Sequence, residues 1–179
     1  MSFVRVAMSV LLLVFLLPLA SSAEDAVGNM ASMITKLGDF IEWPADRSSE
    51  GNGSLFVISV VGDSPLYAKL KEFNKKDAGG GATYKIRKVP PDMIPSNSHV
   101  LLISGDDEAA LTEVVKQVKG TGTVTITSGS ALGGKGAVLN IYDNASKVQV
   151  EIDAKVAKAE KLQIKPSFLK LAKIINADG

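Results

Sequence analysis

Apolar residues return at Val27, Met30, Ile34, Leu37 and Ile41, with Met33 and Phe40 widening the stripe and Asn29, Ser32, Lys36 and Asp39 on the other side. That spacing predicts an amphipathic helix. Pro44 disfavours helical geometry at Trp43, so the helix should stop at about Glu42, and the Ser, Gly and Asn residues from Asp46 to Ser54 should form a loop. Leu55 to Val61 is a nearly continuous apolar run, as expected of a central strand covered on both faces. Gly62-Asp63-Ser64-Pro65 then supplies a turn, a capping hydroxyl and a proline for the first helical position, opening a helix with Leu66, Leu70 and Phe73 on one face.

Ala82 to Val89 reads as a strand nearer an edge, because Lys85, Arg87 and Lys88 must reach water, and His99 to Ser104 as another buried strand. A helix follows, capped by Gly105-Asp106-Asp107-Glu108, with Leu111, Val114, Val115 and Val118 facing inward and Gly120 marking its end. Thr123 to Thr127 is a further strand. Ala137 to Tyr142 and Lys147 to Ile152 flank Asp143-Asn144-Ala145-Ser146 as a hairpin, in which Lys147, Gln149 and Glu151 should form a wet face. Helices are expected at Asp153 to Lys161 and at Pro166 to Ile175. Strands alternating with helices predict a single three-layer α/β domain over residues 24–179, with a mixed, mostly parallel sheet and a C-terminal hairpin plus helices.

The first 23 residues stand apart. Arg5 precedes an apolar run from Val6 to Ala20, and Ser21-Ser22-Ala23 offers the small residues of a cleavage site, so the segment reads as a secretory signal peptide with Glu24 as the mature N-terminus. Pro18 and the length of the run argue against a spanning helix. Loss of Arg5 leaves 19 basic and 19 acidic residues, and the lysines interleave with acids, as in Lys69, Lys71 and Glu72 or Lys155, Lys158, Glu160 and Lys161. These read as solvated helix faces, and no nucleic-acid partner is expected. The chain has no cysteine, which excludes disulfides, thiolate metal sites, a cysteine nucleophile and a lipid-modified cysteine.

Candidate chemistry is sparse. Gly129 to Gly136 approaches a phosphate-cradling loop, but Gly136 replaces the hydroxyl residue and a strand-like segment follows where a helix should begin. His99, the one histidine, sits at the start of a buried strand and reads as structural. Asp106, Asp107 and Glu108 read as helix capping. Asn52-Gly53-Ser54 and Asn144-Ala145-Ser146 fit the glycosylation pattern, which matters only in a eukaryotic source. No catalytic residue, metal ligand or cofactor is implied. Trp43, beside a proline at a helix end, reads as a core plug in preference to an exposed anchor; with Phe40 it nonetheless forms the candidate partner-binding pair.

The ordered series Ile34 to Pro44, ending Phe40-Ile41-Glu42-Trp43-Pro44, then Phe56 to Gly62, Ser98-His99-Val100-Leu101-Leu102-Ile103, Gly133-Gly134 to Leu139, Val150-Glu151-Ile152-Asp153 and Leu162 to Ala172 resembles the YfiR family of periplasmic proteins. The resemblance implies a Rossmann-like domain, often dimeric and without enzymatic activity. It also implies an inner-membrane signalling protein as partner: the best-known member holds a membrane-bound diguanylate cyclase inactive, and an outer-membrane lipoprotein relieves that inhibition. That member depends on disulfides, whereas here Ser98 stands where a cysteine often sits, so redox control is not expected. A small-ligand sensor, with its cleft near Gly62 to Pro65 and Gly105-Asp106, is the alternative.

Overall fold

A computed structural model describes residues 21–47, 54–105, 108–145 and 147–177. The apolar run of residues 6–20 lies outside them, and no helix among the described residues is long and apolar enough to cross a membrane.

Helix α1 (Ser21–Thr35) is followed after Lys36 by a single turn, α2 (Leu37–Phe40), and then by a short strand, β1 (Ile41–Glu42). The helix predicted to continue to Glu42 therefore breaks early. Lys36 adopts a turn conformation (φ −82°, ψ 0°), and Ile41 and Glu42 pair antiparallel with β9 (Gln163–Ile164), opposite Ile164 and Gln163. A pairing partner more than a hundred residues away overrides the local helical period. A 3₁₀ turn over Ala45–Arg47 follows Pro44.

The main sheet begins with β2 (Leu55–Val61), continues through α3 (Pro65–Lys71), β3 (Asp77–Gly79), β4 (Ala82–Val89), β5 (Val100–Ile103), α4 (Glu108–Val118), β6 (Val124–Thr127), β7 (Leu139–Asn144), β8 (Lys147–Asp153), α5 (Ala154–Ala159), β9, α6 (Pro166–Leu169) and β10 (Lys173–Ile175). Its order is β10-β8-β7-β6-β5-β2-β4-β3. Only the β7–β8 hairpin and the β3–β4 pair are antiparallel. As predicted, β2 is central, and the Ser64 hydroxyl caps α3 by accepting from Leu66 N–H at 3.2 Å. The strand predicted at Ala82 lies one place from the edge, with β3, absent from the sequence reading, outside it.

Alternation along the strands divides the interior into two layers. Phe56, Ile58 and Val60 of β2, with Val100, Leu102, Val124, Ile126, Leu139, Ile141, Val150 and Ile152, pack against α1, α2, α3 and the C-terminal elements through Ile34, Leu37, Leu66, Leu70 and Phe168. Val61, Val89, Leu101 and Ile103 point the other way and meet Leu111, Val114 and Val118 of α4. The result is the predicted three-layer α/β architecture.

Two C-terminal expectations are corrected. The helix predicted over Pro166 to Ile175 ends at Leu169, and Lys173 to Ile175 instead run parallel to Glu151, Ile152 and Asp153 as an edge strand. Glu151 is not on a wet face: it is 8% exposed, because Asn140 and Lys173 reach its two oxygens at 3.2 and 3.0 Å. Glu160 is likewise buried, its two oxygens accepting the backbone N–H groups of Gly120 (2.8 Å) and Gly122 (3.0 Å). A buried carboxylate persists when charge-assisted hydrogen bonds replace its water.

Candidate contact surface

The segment that ends α2 is tied down from two sides. β9 holds Ile41 and Glu42, Lys165 N–H donates to Phe40 O (2.9 Å), and Lys165 Nζ donates to Asp39 O (2.9 Å). These bonds fix Phe40 where its ring stacks on Phe168, with centroids 5.1 Å apart. Phe40, Phe168, Met33, Val148 and Leu171 line a surface groove of about 420 Å³, whose rim includes Asn29, Ser32 and Lys36. Phe40 is half-buried, whereas Leu171 is 63% exposed.

Trp43 faces another neighbourhood. Its ring meets Phe56 edge-on at 5.4 Å and His99 edge-on at 6.1 Å, so it packs on the first core layer while remaining half-buried. The two candidate partner-binding residues are thus not brought together in one groove. Behind Trp43, the Arg47 guanidinium donates to Ser96 O and Ser98 O and reaches Thr123 Oγ1 at 3.3 Å, pinning the β4–β5 connection to the start of β6. Arg87 Nε donates to Ser59 Oγ at 2.9 Å, its terminal nitrogen reaches Asn97 Oδ1 (2.6 Å) and Ser98 Oγ (3.2 Å), and Ser59 Oγ and Ser98 Oγ are 2.7 Å apart. The arginine expected to seek water thus lies half-buried over a serine pair, and Ser98 works as a hydrogen-bond hub.

His99 is structural. Val57 N–H donates to its Nδ1 at 3.0 Å, its own N–H donates to Val57 O at 2.9 Å, and its ring stacks on Phe56 at 5.2 Å. An Nδ1 that accepts is an unprotonated Nδ1. Burial first, and the Arg47 charge second, push the imidazole from its ordinary 6.5 down to about 4.

The glycine-rich loop does not form a phosphate cradle. Lys135 pairs with Glu108 at 3.2 Å, and β7 follows the loop in place of a helix. Gly133 has a packing role: a Cβ there would lie 2.1 Å from Glu151 Oε2. Glu151 in turn accepts from Asn140, whose Oδ1 accepts from Thr127 Oγ1 at 2.9 Å. At the ends of β2 and β5, where the alternative reading places a ligand cleft, a Cβ on Gly62 would sit 3.0 Å from Ser104 O. Asp106, Asp107, Asn52 and Ser146 lie outside the described residues. Among the described residues no group of three or more His, Asp or Glu is arranged to hold a metal ion.

The segments named in the resemblance therefore pair with one another in space: residues 40–42 with 163–165, Phe56 and Val57 with His99, and Gly133 with Glu151. Residues 29–173 match the YfiR/HmsC-like family as a whole. The chain belongs to the YfiR/HmsC-like family. Its members are periplasmic regulators in cyclic-di-GMP signalling, and membership supports a regulatory role for this YfiR/HmsC-like chain. No curated protein matches it. Among solved structures, an ABC domain from Streptococcus pneumonia in complex with L-Trp is similar at 15% identity and a TM-score of 0.46; the alignment covers 66% of this chain and 55% of that one.

Leu171, Glu151 and Glu160 escaped the sequence reading. Leu171 sits in what looked like a helix, where an apolar residue is expected to be inward. The two acids sit where alternation and helical spacing place polar residues outward.

Proposed function

We propose that this chain is a non-enzymatic periplasmic regulator that binds the periplasmic part of a membrane-bound signalling protein, by family resemblance a diguanylate cyclase. The observation that carries this reading is Leu171. In the series that resembles the family, Ile41, Phe56, His99, Leu139, Ile152, Leu162 and Phe168 are all buried and explained by packing, whereas Leu171 stands 63% exposed on the rim of the Phe40 groove. An exposed apolar side chain beside a half-filled apolar groove suits a protein contact better than a fold requirement. Phe40 supplies the aromatic floor of that contact. Trp43 packs on Phe56 and His99, away from that groove.

The test is genetic and biochemical together. Deletion of the gene should change cellular cyclic-di-GMP. The wild-type chain should restore it, and Leu171→Asp, folded but carrying a charge on the groove rim, should not. Cross-linking from position 171 should capture an inner-membrane signalling protein. Unchanged cyclic-di-GMP on deletion, with no such protein captured, would overturn the reading.

A further inference from the structure

A second groove, of about 370 Å³, lies between α4, α5 and the end of the glycine-rich loop. Its floor is apolar, formed by Val115, Val156 and Ala159, and four lysines surround it: Lys116, Lys119, Lys135 and Lys155. Glu160 also lines it, but both its oxygens are engaged by the Gly120 and Gly122 amides. Lys116 is paired with Glu113 at 2.7 Å and Lys135 with Glu108 at 3.2 Å. Among the described residues no acid lies within ion-pair distance of Lys119 or Lys155. All four lysines are exposed, so the groove presents positive charge around an uncovered apolar strip.

We infer that this groove receives an acidic segment of the protein partner, with one apolar side chain of that segment seated on Val115 and Val156. The inference rests on the reading that the partner is a protein. The choice of occupant follows from the kind of charge present. A small anion is held by buried, fixed donors, and this groove has none turned toward it. Exposed ammonium groups on flexible stems instead speed encounter with an acidic surface and set its orientation, while the apolar strip supplies the anchor. The cavity has room for one or two large apolar side chains, which suits a peptide better than the flat approach of a bilayer.

The probe is a fluorescein-labelled peptide in which pairs of Glu flank a central Leu, titrated by polarisation against the full mature chain. Binding should weaken roughly tenfold or more in the Lys119→Glu, Lys155→Glu double variant and should fall with added salt. It should be unaffected by Lys85→Glu with Lys147→Glu, which reverse two exposed charges elsewhere. Thermal melts check that each variant folds, since the substituted side chains are all exposed. Equal binding by the first double variant, or equal competition by decanoate or by phosphatidylglycerol vesicles, would overturn the inference in favour of no site, a small amphiphile or a lipid surface. Cross-linking from position 171 separates the two readings. If wild type and the Lys119, Lys155 variant capture the same inner-membrane protein equally well, the groove assignment fails while the regulator stands. If wild type captures none, the regulator reading itself fails.

Discussion

Stability between pH 6.5 and 4 should be governed by His99, the one histidine of the chain. In the native state its Nδ1 accepts Val57 N–H at 3.0 Å, so a proton added there would face another donor, next to the Arg47 charge and away from water. The folded value is therefore lowered, to about 4, while the unfolded chain titrates near 6.5. Between those values the unfolded state binds more protons than the native state. The contribution is fully present above pH 6.5 and is lost as pH falls towards 4. A shift of that size corresponds to about 3 kcal/mol, or roughly 10 °C in melting temperature for a domain of this length. Thermal melts followed by circular dichroism in closely spaced buffers should show the midpoint level above pH 7 and falling below 6.5. His99→Gln should be less stable at neutral pH, because Val57 N–H loses its partner, but its midpoint should not slope in that window. A wild-type midpoint that is flat from 6.5 to 4, or a slope that survives in His99→Gln, would refute the argument.

Gly133→Ala should destabilise by about 2 kcal/mol in chemical denaturation, because its Cβ would meet Glu151 Oε2 and push that carboxylate off Asn140 and Lys173. Gly134→Ala, where the nearest atom to a Cβ is the Asn176 side chain at 3.4 Å, tests the same loop without that clash, although its positive φ adds strain. Trp43→Ala should cost about 2 to 3 kcal/mol, less than for a fully enclosed ring, since Trp43 is half-buried against Phe56 and His99; an unchanged midpoint by circular dichroism would move Trp43 to the contact surface. Mass spectrometry of the protein released by osmotic shock should show Glu24 as the first residue, and a retained leader would overturn the export reading.

The elements most legible in the sequence were those whose signal is local. The run Leu55 to Val61 carries the signature of a strand covered on both faces, and Gly62-Asp63-Ser64-Pro65 spelled out the turn, cap and first helical residue that the structure shows. What could not be read depended on distant partners. Ile41 and Glu42 continue a helical stripe until Gln163 and Ile164 pair with them, and Lys173 to Ile175 continue another until β8 claims them. Glu151 and Glu160 obey the pattern of outward acids, yet both are buried, because the groups that satisfy them are a neighbouring strand's amide, a remote lysine and two glycine N–H groups. Periodicity reports which residues could face water. It cannot report that a backbone amide has taken the water's place.

The same distinction separates residues that hold the scaffold from residues that face solvent. The segments that carry the family resemblance mostly face each other: residues 40–42 meet 163–165, His99 meets Phe56 and Val57, and Glu151 fills the space under Gly133. Their chemistry is used up in holding the scaffold, so they fix the architecture and say little about what binds it. Leu171 and, to a lesser degree, Leu169 are within the series and yet exposed, at 63% and 38%, and on the proposed reading Leu171 belongs to the partner contact. Lys119 and Lys155 are exposed and lie outside the series, where substitutions are free to change charge without disturbing the core. An apolar anchor supplied by the fold and an electrostatic rim supplied by this chain would divide affinity from selectivity between two surfaces. The division makes an unequal expectation. Leu171→Asp should weaken capture of any partner the scaffold can bind, whereas reversing Lys119 and Lys155 should weaken binding to an acidic partner and spare or improve binding to a basic one. A charge reversal that weakened both alike would mean that the lysines act on the fold and not on the choice of partner.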